Sequence, residues 1–381
     1  MAQRMESGLQ IRCLVAWTLS IHYERCRGLM YRIELRDGGG ESRTGDGEEA
    51  MMDSGMSNRI WSIVQAGGDD GGIRAFVQRW LGRPKPKQYC AFVGGRSPFQ
   101  HTLDRAARLC QRERIVTVIA REHQREAWPQ LDGRSGSRVL LQPKNCDTVA
   151  GVFLPLTYVR ARDPQATVVF YPSDHFVYPE HRFIESVQRA IWTAEWLPDR
   201  LVLLGVTPDR LELDYGWIMP GERLDGSTTY QIKAVDGILE KLTAVQADTA
   251  LARGALWNTS VLVAKGETLW ELGWQCFPDL MRLFEDLSQA IGTPQEEKVL
   301  DAIYRKMPAY NFSSDLLQRG PEHIAVIEMT GVLWSDWGKP ERIANTLRQI
   351  GRQPVFPLEC LGRPFAPIPI LRGGDSITAQ A

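Results

Sequence analysis

The sequence predicts an α/β fold, a mixed, mostly parallel β-sheet with helices on both faces. Two observations carry this. Short runs of β-branched and aliphatic residues recur as "WSIVQA", "RIVTVIA", "RVLLQP", "TVVFYP" and "RLVLLGV" between Trp61 and Val206, and each reads as a buried strand. The stretches 97–112, 147–161 and 180–196 carry helical spacing and lie among them. Strand–helix alternation of this kind is Rossmann-like and places crossover helices on the sheet faces. With 381 residues, 43% hydrophobic and 24% charged, the chain has the material for a sizeable core.

Residues 1–56 read differently. "RDGGGESRTGDGEEAMMDSGM" is rich in glycine and charge without an apolar period, so a flexible extension is expected there. Met51, Met52 and Met56 offer alternative starts just upstream of the ordered pattern. After Gly205, "YGWIMPG", "TYQIKAVDGILEKL" and "LWNTSVLVAK" predict antiparallel or mixed strands. Helices are expected at 267–291 and 294–306, and "HIAVIEMTGVLWSDWG" reads as a late hairpin or strand pair. The segment 351–381 is Pro-rich and irregular, which leaves 57–350 as the folded domain.

The formal net charge of -1 gives no global basic field for nucleic acid. Seven cysteines without a C-x-x-C pair argue against a zinc site or disulfide framework and fit a reducing, cytoplasmic setting. The apolar stretch "CLVAWTLSI" is too short to span a bilayer, so no membrane partner is expected.

Several segments carry chemistry. "AGGDDGGIRAF" places Gly67, Gly68 and Gly72 around Asp69 and Asp70, so backbone amides can approach phosphate oxygens. Arg74 adds a fixed donor fork, and Lys85 and Lys87 follow closely. These suit a triphosphate, or an ordinary glycine turn with a solvated basic surface. "LQPKNCDTVAG" offers Asp147 or Thr148 as a helix cap near an anion or base edge, and also as a routine cap. Asp174, in "YPSDHF", sits just past the carboxyl end of a strand, the edge where open α/β sheets bind ligands; a turn is the other reading. Gly216 lies between two aromatics, Glu240 and Lys241 end a strand, Asn258 precedes a buried run, and Asp336 stands in a Trp-flanked turn. Each also has a plain structural reading as bulge, strand end or turn.

The order of these segments, a glycine loop with Arg, then P-K-Q, S-D-H, Y-G-W-I, E-K, W-N and W-S-D-W-G, resembles the sugar-phosphate nucleotidylyltransferases, and among them the mannose-1-phosphate guanylyltransferase group. The resemblance covers about residues 58–350. It implies the nucleotide-diphospho-sugar transferase type of fold and an enzyme that joins a nucleoside triphosphate, expected to be GTP, to a sugar 1-phosphate, expected to be mannose 1-phosphate. It implies Mg2+ on Asp174 and Asp336, with Asp174, Arg74 and Lys87 as catalytic groups. Gly67, Gly68, Gly72, Gln142 and Thr148 would bind the nucleotide, and Gly216, Glu240, Lys241 and Asn258 the sugar phosphate. A homodimer is among the assemblies it allows. The chain departs from the family pattern at several places. The glycine loop is one residue longer and lacks its Thr, Gln142, Cys146 and Asp147 replace an acid, an Arg and an Asn, and Ser260 stands where many relatives have Gly. These departures leave open a second expectation, a sugar-nucleotide-binding regulatory protein with weakened catalysis, and a third, the same chemistry on another base or hexose 1-phosphate. With only a short segment after 351, the isomerase activity of bifunctional relatives is not expected.

Overall fold

The computed structural model describes residues 59–68, 71–131, 136–224 and 231–361. The expected extension 1–56, Asp69, Asp70 and residues 362–381 lie outside them. The apolar runs form strands β1 (Ile60–Ala66), β2 (Ile115–Ala120), β3 (Arg138–Gln142), β4 (Thr167–Pro172) and β6 (Leu201–Val206), as their composition predicts. The short β5 (Phe176–Tyr178) precedes β6, and β7 (Trp217–Arg223), β8 (Lys233–Leu239), β9 (Leu256–Lys265), β10 (Ile324–Glu328) and β11 (Leu333–Ser335) complete the set.

Nine strands form one mixed sheet in the order β3-β2-β1-β4-β9-β6-β10-β8-β7. The ladders β3-β2, β2-β1 and β1-β4 are parallel, as is β6-β10. β9 inserts antiparallel between β4 and β6, and the β7-β8 ribbon joins antiparallel to β9 and β10. The late segment is not a hairpin. β10 pairs with β6 and β8, whereas β11 pairs antiparallel with β5 in a separate two-stranded sheet.

Alternation along each strand sorts side chains onto two faces. Ile63, Val168 and Phe170 point into one core, with α3 (Asp147–Arg160), α6 (Gly266–Cys276), α7 (Pro278–Ala290) and α8 (Glu296–Lys306). Val64, Val169 and Tyr171 point into the other, with α2 (Pro98–Ala106), α4 (Glu180–Trp196) and α5 (Ala244–Ala252). The single helix expected at 267–291 is two helices, because Pro278 has no N–H to continue the first and takes the N1 position of the second. The helix expected over 97–112 stops at Ala106.

A third, smaller core lies outside these two layers. Ile73, Phe76 and Val77 of α1 (Gly71–Leu81) meet Ile343 and Leu347 of α9 (Pro340–Gln349), together with Phe92, Trp337 and Phe356. α1 and α9 begin beside the glycine loop and the Asp336 turn, so this core sets where both begin.

Gly273 tests the packing. A glycine inside a helix is ordinarily worse than alanine by about 1 kcal/mol. A Cβ on Gly273 would lie 2.5 Å from Phe153 and 2.9 Å from Met281 Sδ, both in the core. Overpacking of this kind costs about 1–3 kcal/mol, so Gly273→Ala is expected to lower the denaturation midpoint despite the propensity gain. A raised midpoint would show that α3 and α6 separate more easily than this packing implies.

Candidate active site

The parallel strands end at a cleft of about 670 Å³. Gly67 and Gly68 after β1, Gln142 at the end of β3, Thr148 on α3 and Asp174 after β4 all line it. Five residues marked by sequence therefore converge at the carboxyl edge, where ligands bind in open α/β sheets. The glycine turn is fastened from behind. Gln88 Nε2 donates to the carbonyls of Ala66 (3.2 Å) and Gly68 (2.9 Å), and the Tyr89 hydroxyl donates to Ala66 O at 2.9 Å. A Cβ on Gly67 would lie 2.9 Å from Gln142 Oε1, so a larger residue there would push the Gln142 amide from its place in the cleft.

α3 supplies the floor in an unusual way. Pro155 lies inside it and has no N–H for the carbonyl one turn back, at Gly151. Gln65 Nε2 reaches from β1 and donates to Gly151 O at 3.2 Å, and both residues line the cleft. The amino end of α3 is not an open anion site. Thr148 N donates to Asp147 Oδ1 (2.6 Å) and Val149 N to Tyr310 O (3.1 Å). The Thr148 hydroxyl accepts from Phe312 N at 2.7 Å, which leaves its proton for a ligand.

Asp174 forms the far wall. Its Oδ2 lies 3.2 Å from Lys87 Nζ and its Oδ1 3.6 Å from His175 Nε2. Burial opposes its ionisation, but Lys87 and His175 more than offset that and hold the carboxyl below the usual carboxylate range. Burial in turn pushes the His175 imidazole below its ordinary value. Lys87 is 2% exposed and donates to the main-chain carbonyl of Asp336 at 2.6 Å. It is not among the described residues lining the cleft, and the contacts it shows there are with the Asp174 carboxylate and the Asp336 carbonyl. Lys85 turns the other way, to Glu126 at 3.4 Å.

The Asp336 carboxylate faces a different neighbourhood. It receives Arg342 Nη1 on both oxygens (3.0 and 2.9 Å), the Tyr215 hydroxyl (3.1 Å) and Gly338 N (2.8 Å). Arg342, 2% exposed, also bonds Glu212 (2.5 Å) and Asp214 (3.1 Å) and lies over the Tyr215 ring at 4.4 Å. Asp336 does not line the cleft, and among the described residues no cluster of three or more His, Cys, Asp or Glu is gathered for a metal. The expected pairing of Asp174 and Asp336 on one ion is thus not what the side chains present.

The residues expected to bind sugar phosphate are neighbours at the ends of β7, β8 and β9. Asn258 N donates to Gly216 O at 2.8 Å. A Cβ on Gly216 would lie 2.7 Å from Glu240 Oε1, so a larger residue there would displace the Glu240 carboxylate. Burial raises the Glu240 carboxyl above its ordinary value. Asn258 Oδ1 accepts from Ser260 N at 3.0 Å, and Ser260 carries this patch into the cleft lining. Lys241 is exposed beside Glu240.

Two expected residues stand apart. Gly72 is in the first turn of α1 rather than in the loop, and Arg74 is exposed on the same helix; neither is among the described lining. The described lining contains no lysine or arginine. Backbone strain marks the places that sequence singles out. Of the five described non-glycine residues with positive φ, Asp147 (61°), Lys241 (53°), Ser260 (57°) and Trp337 (51°) lie in the segments that sequence marks as ligand-bearing. Such strain collects at functional sites. Sequence reasoning missed Gln65, Gln88, Tyr215 and Arg342, whose roles depend on partners distant in the chain.

No family model matches the chain. It is similar to the mannose-1-phosphate guanylyltransferase of Escherichia coli, 22% identical over 290 residues covering 74% of this chain and 60% of that protein. It is also similar to the mannose-1-phosphate guanylyltransferase of Salmonella montevideo, 25% identical over 294 residues covering 73% and 58%. The chain therefore spans 58% to 60% of the length of these relatives. Among solved structures it resembles one described as a mannose-1-phosphate geranyltransferase from Thermus thermophilus, with a TM-score of 0.64, 25% identity, and 76% and 79% of the two chains covered. A mannose-6-phosphate isomerase from Helicobacter pylori shares the fold, with a TM-score of 0.58, 18% identity, and 73% and 99% covered. Among the described residues no helix is long and apolar enough to cross a membrane.

The Lys87–Asp174 contact gives a pH-dependent prediction. A carboxyl whose pKa is depressed on folding contributes stability that is complete above its unfolded pKa and is lost as pH falls through the folded one. Lys87→Met removes the cation and is expected to cost about 1–3 kcal/mol at neutral pH. The stability gap to the unmutated chain should then narrow below about pH 4, as Asp174 protonates in both. Urea titrations across about pH 3–7 read this directly, and a constant gap would separate Lys87 from the ionisation of Asp174.

Proposed function

We propose that this chain, a member of the sugar-phosphate nucleotidylyltransferase family, transfers a nucleotidyl group from a nucleoside triphosphate to a sugar 1-phosphate and releases pyrophosphate. GTP and mannose 1-phosphate are the substrates we propose, on the strength of the names its relatives carry. The observation that carries the reading is the convergence of Gly67, Gly68, Gln142, Thr148 and Asp174 on one cleft at the carboxyl edge of the parallel strands.

In this reading an oxygen of the sugar phosphate attacks the α-phosphorus. The new P–O bond forms as the bond to the β-phosphate oxygen breaks, and pyrophosphate leaves. No covalent enzyme intermediate is required, so positioning and charge stabilisation carry the rate. Gly67 and Gly68 let backbone come close to the phosphates. The Gln142 amide and the Thr148 hydroxyl offer hydrogen bonds to the base. Glu240, Asn258 and the Gly216 backbone meet sugar hydroxyls, and Lys241 the sugar phosphate. Arg74 joins the triphosphate if the start of α1 closes on the cleft.

Magnesium is part of this proposal with one restriction. Asp174, which shares the described lining with Asp147, is the carboxylate we propose to hold such an ion, which supplies charge neutralisation between polyanions. Asp336 is a poor partner ligand, because the Arg342 guanidinium is paired with its carboxylate and Tyr215 and Gly338 add two further donors on Oδ1.

A second reading, a nucleotide-sugar-binding protein with little or no catalysis, draws on the lack of lysine and arginine in the described lining. Pyrophosphate release separates the two, measured with four nucleoside triphosphates against mannose, glucose and galactose 1-phosphates. A productive pair identifies both substrates. Silence across the grid, with nucleotide binding by calorimetry, favours the second reading. If transfer occurs, Asp174→Asn is expected to lower kcat by on the order of 10²–10³. Unchanged kinetics would remove Asp174 from the mechanism.

A further inference from the structure

Three donors hold the Asp336 carboxylate: Oδ1 accepts from Arg342 Nη1, the Tyr215 hydroxyl and Gly338 N, and Oδ2 is paired with the same Arg342 nitrogen. An ion approaching Oδ2 would meet the guanidinium paired there and sit beside its positive charge. Arg342 is not free to move aside. Its other nitrogens hold Glu212 and Asp214, and withdrawal would leave the buried Glu212 carboxylate with Arg210 as its remaining cation. Lys339 adds a second cation on Asp214. The main-chain carbonyl of the same Asp336 meanwhile accepts from Lys87 Nζ at 2.6 Å, and that ammonium is 3.2 Å from Asp174 Oδ2.

We propose that Arg342 is a positioning residue that removes Asp336 from metal chemistry and converts it into the rear support of Lys87. The chain of contact runs from Glu212 and Asp214 through Arg342 to the Asp336 side chain. It continues from the Asp336 carbonyl through Lys87 to Asp174, the residue in the cleft. The cation fixed between the two aspartate turns is then the Lys87 ammonium, and any divalent ion in the cleft is held by Asp174 without Asp336. The role assigned to Asp174 rests on the proposed nucleotidyl transfer, while the contacts themselves do not.

The test uses the full chain and has two arms. In the first, crystals are soaked with Mn2+ and a non-hydrolysable GTP analogue. The expected result is the Arg342–Asp336 pair intact and no anomalous peak on Asp336. A peak within about 2.5 Å of the Asp336 carboxylate overturns the proposal. In the second, Lys87 is labelled with an amine reagent and read by mass spectrometry in Arg342→Gln and Arg342→Lys. Loss of the support should speed labelling of the buried Lys87 by about 10-fold or more in Arg342→Gln, through easier local opening, with partial protection regained in Arg342→Lys. Equal labelling in the unmutated chain and both variants overturns it. Asp336→Asn keeps the main-chain carbonyl and serves where Arg342→Gln does not fold. It should leave Mn2+–nucleotide affinity in place, whereas Asp174→Asn lowers it about 10-fold or more. Equal losses in the two variants would return Asp336 to the ligand set. A chain that neither binds nucleotide nor releases pyrophosphate defeats the proposed function, and the labelling result still decides the role of Arg342.

Discussion

A buried ammonium is costly unless opposite charge and lone pairs surround it. Among the groups that meet that condition for Lys87 are a carboxylate and a carbonyl from residues 162 positions apart, Asp174 and Asp336. Satisfying it brings the turn after Pro86, the loop after β4 and the loop after β11 to one point. Two further contacts fix the same loops. The β5-β11 ladder pairs Phe176 with Ser335, and Phe176 stacks on Trp337 at 4.8 Å. The third core then ties Trp337 to α1 and α9. The cleft wall at Asp174 is therefore set by contacts spread over the whole domain.

Much of the fold is legible in the sequence because strands buried on both faces read as near-continuous apolar runs. β1, β2, β4 and β6 are of that kind, and their runs end where their ladders end. Partner choice is not legible. β10 and β11 are separated by a turn containing Gly331, which suggests a hairpin, yet β10 completes a parallel ladder with β6 and β11 serves the site. Local sequence reports a strand and a turn. Which edge is vacant is decided by the rest of the sheet.

The site divides along the same line. Gly67, Gly68, Gln142, Thr148 and Asp174 are recognisable because each lies at the end of a strand or the start of a helix, where the fold itself delivers it to the cleft. Lys85 and Lys87, two residues apart, are indistinguishable by composition, yet Lys85 reaches Glu126 and Lys87 turns inward. The Pro155–Gly151–Gln65 contact has a local signal, a proline within a helical stretch, but the donor that answers it comes from another strand. The surroundings of Asp336 are hidden for the same reason. Its turn resembles a ligand-bearing one, and the guanidinium that fills it is anchored by Glu212 and Asp214, more than a hundred residues upstream.

Charge sets the remaining constraint on function. A triphosphate is a polyanion, and the described lining presents Asp147 and Asp174 without a lysine or arginine. Lys87 cannot make up the difference from its buried place, because its charge is already matched by Asp174. Countercharge must then arrive with the ligand or from elements outside that lining, and Arg74 at the start of α1 is the nearest candidate by sequence. A ligand with fewer charges, such as a nucleotide sugar, makes a smaller demand. If the proposed transfer takes place, the same cleft is electrostatically easier to fill with a nucleotide sugar than with a triphosphate and a sugar phosphate together, so the countercharge carried by or brought to the triphosphate sets the demand on the site.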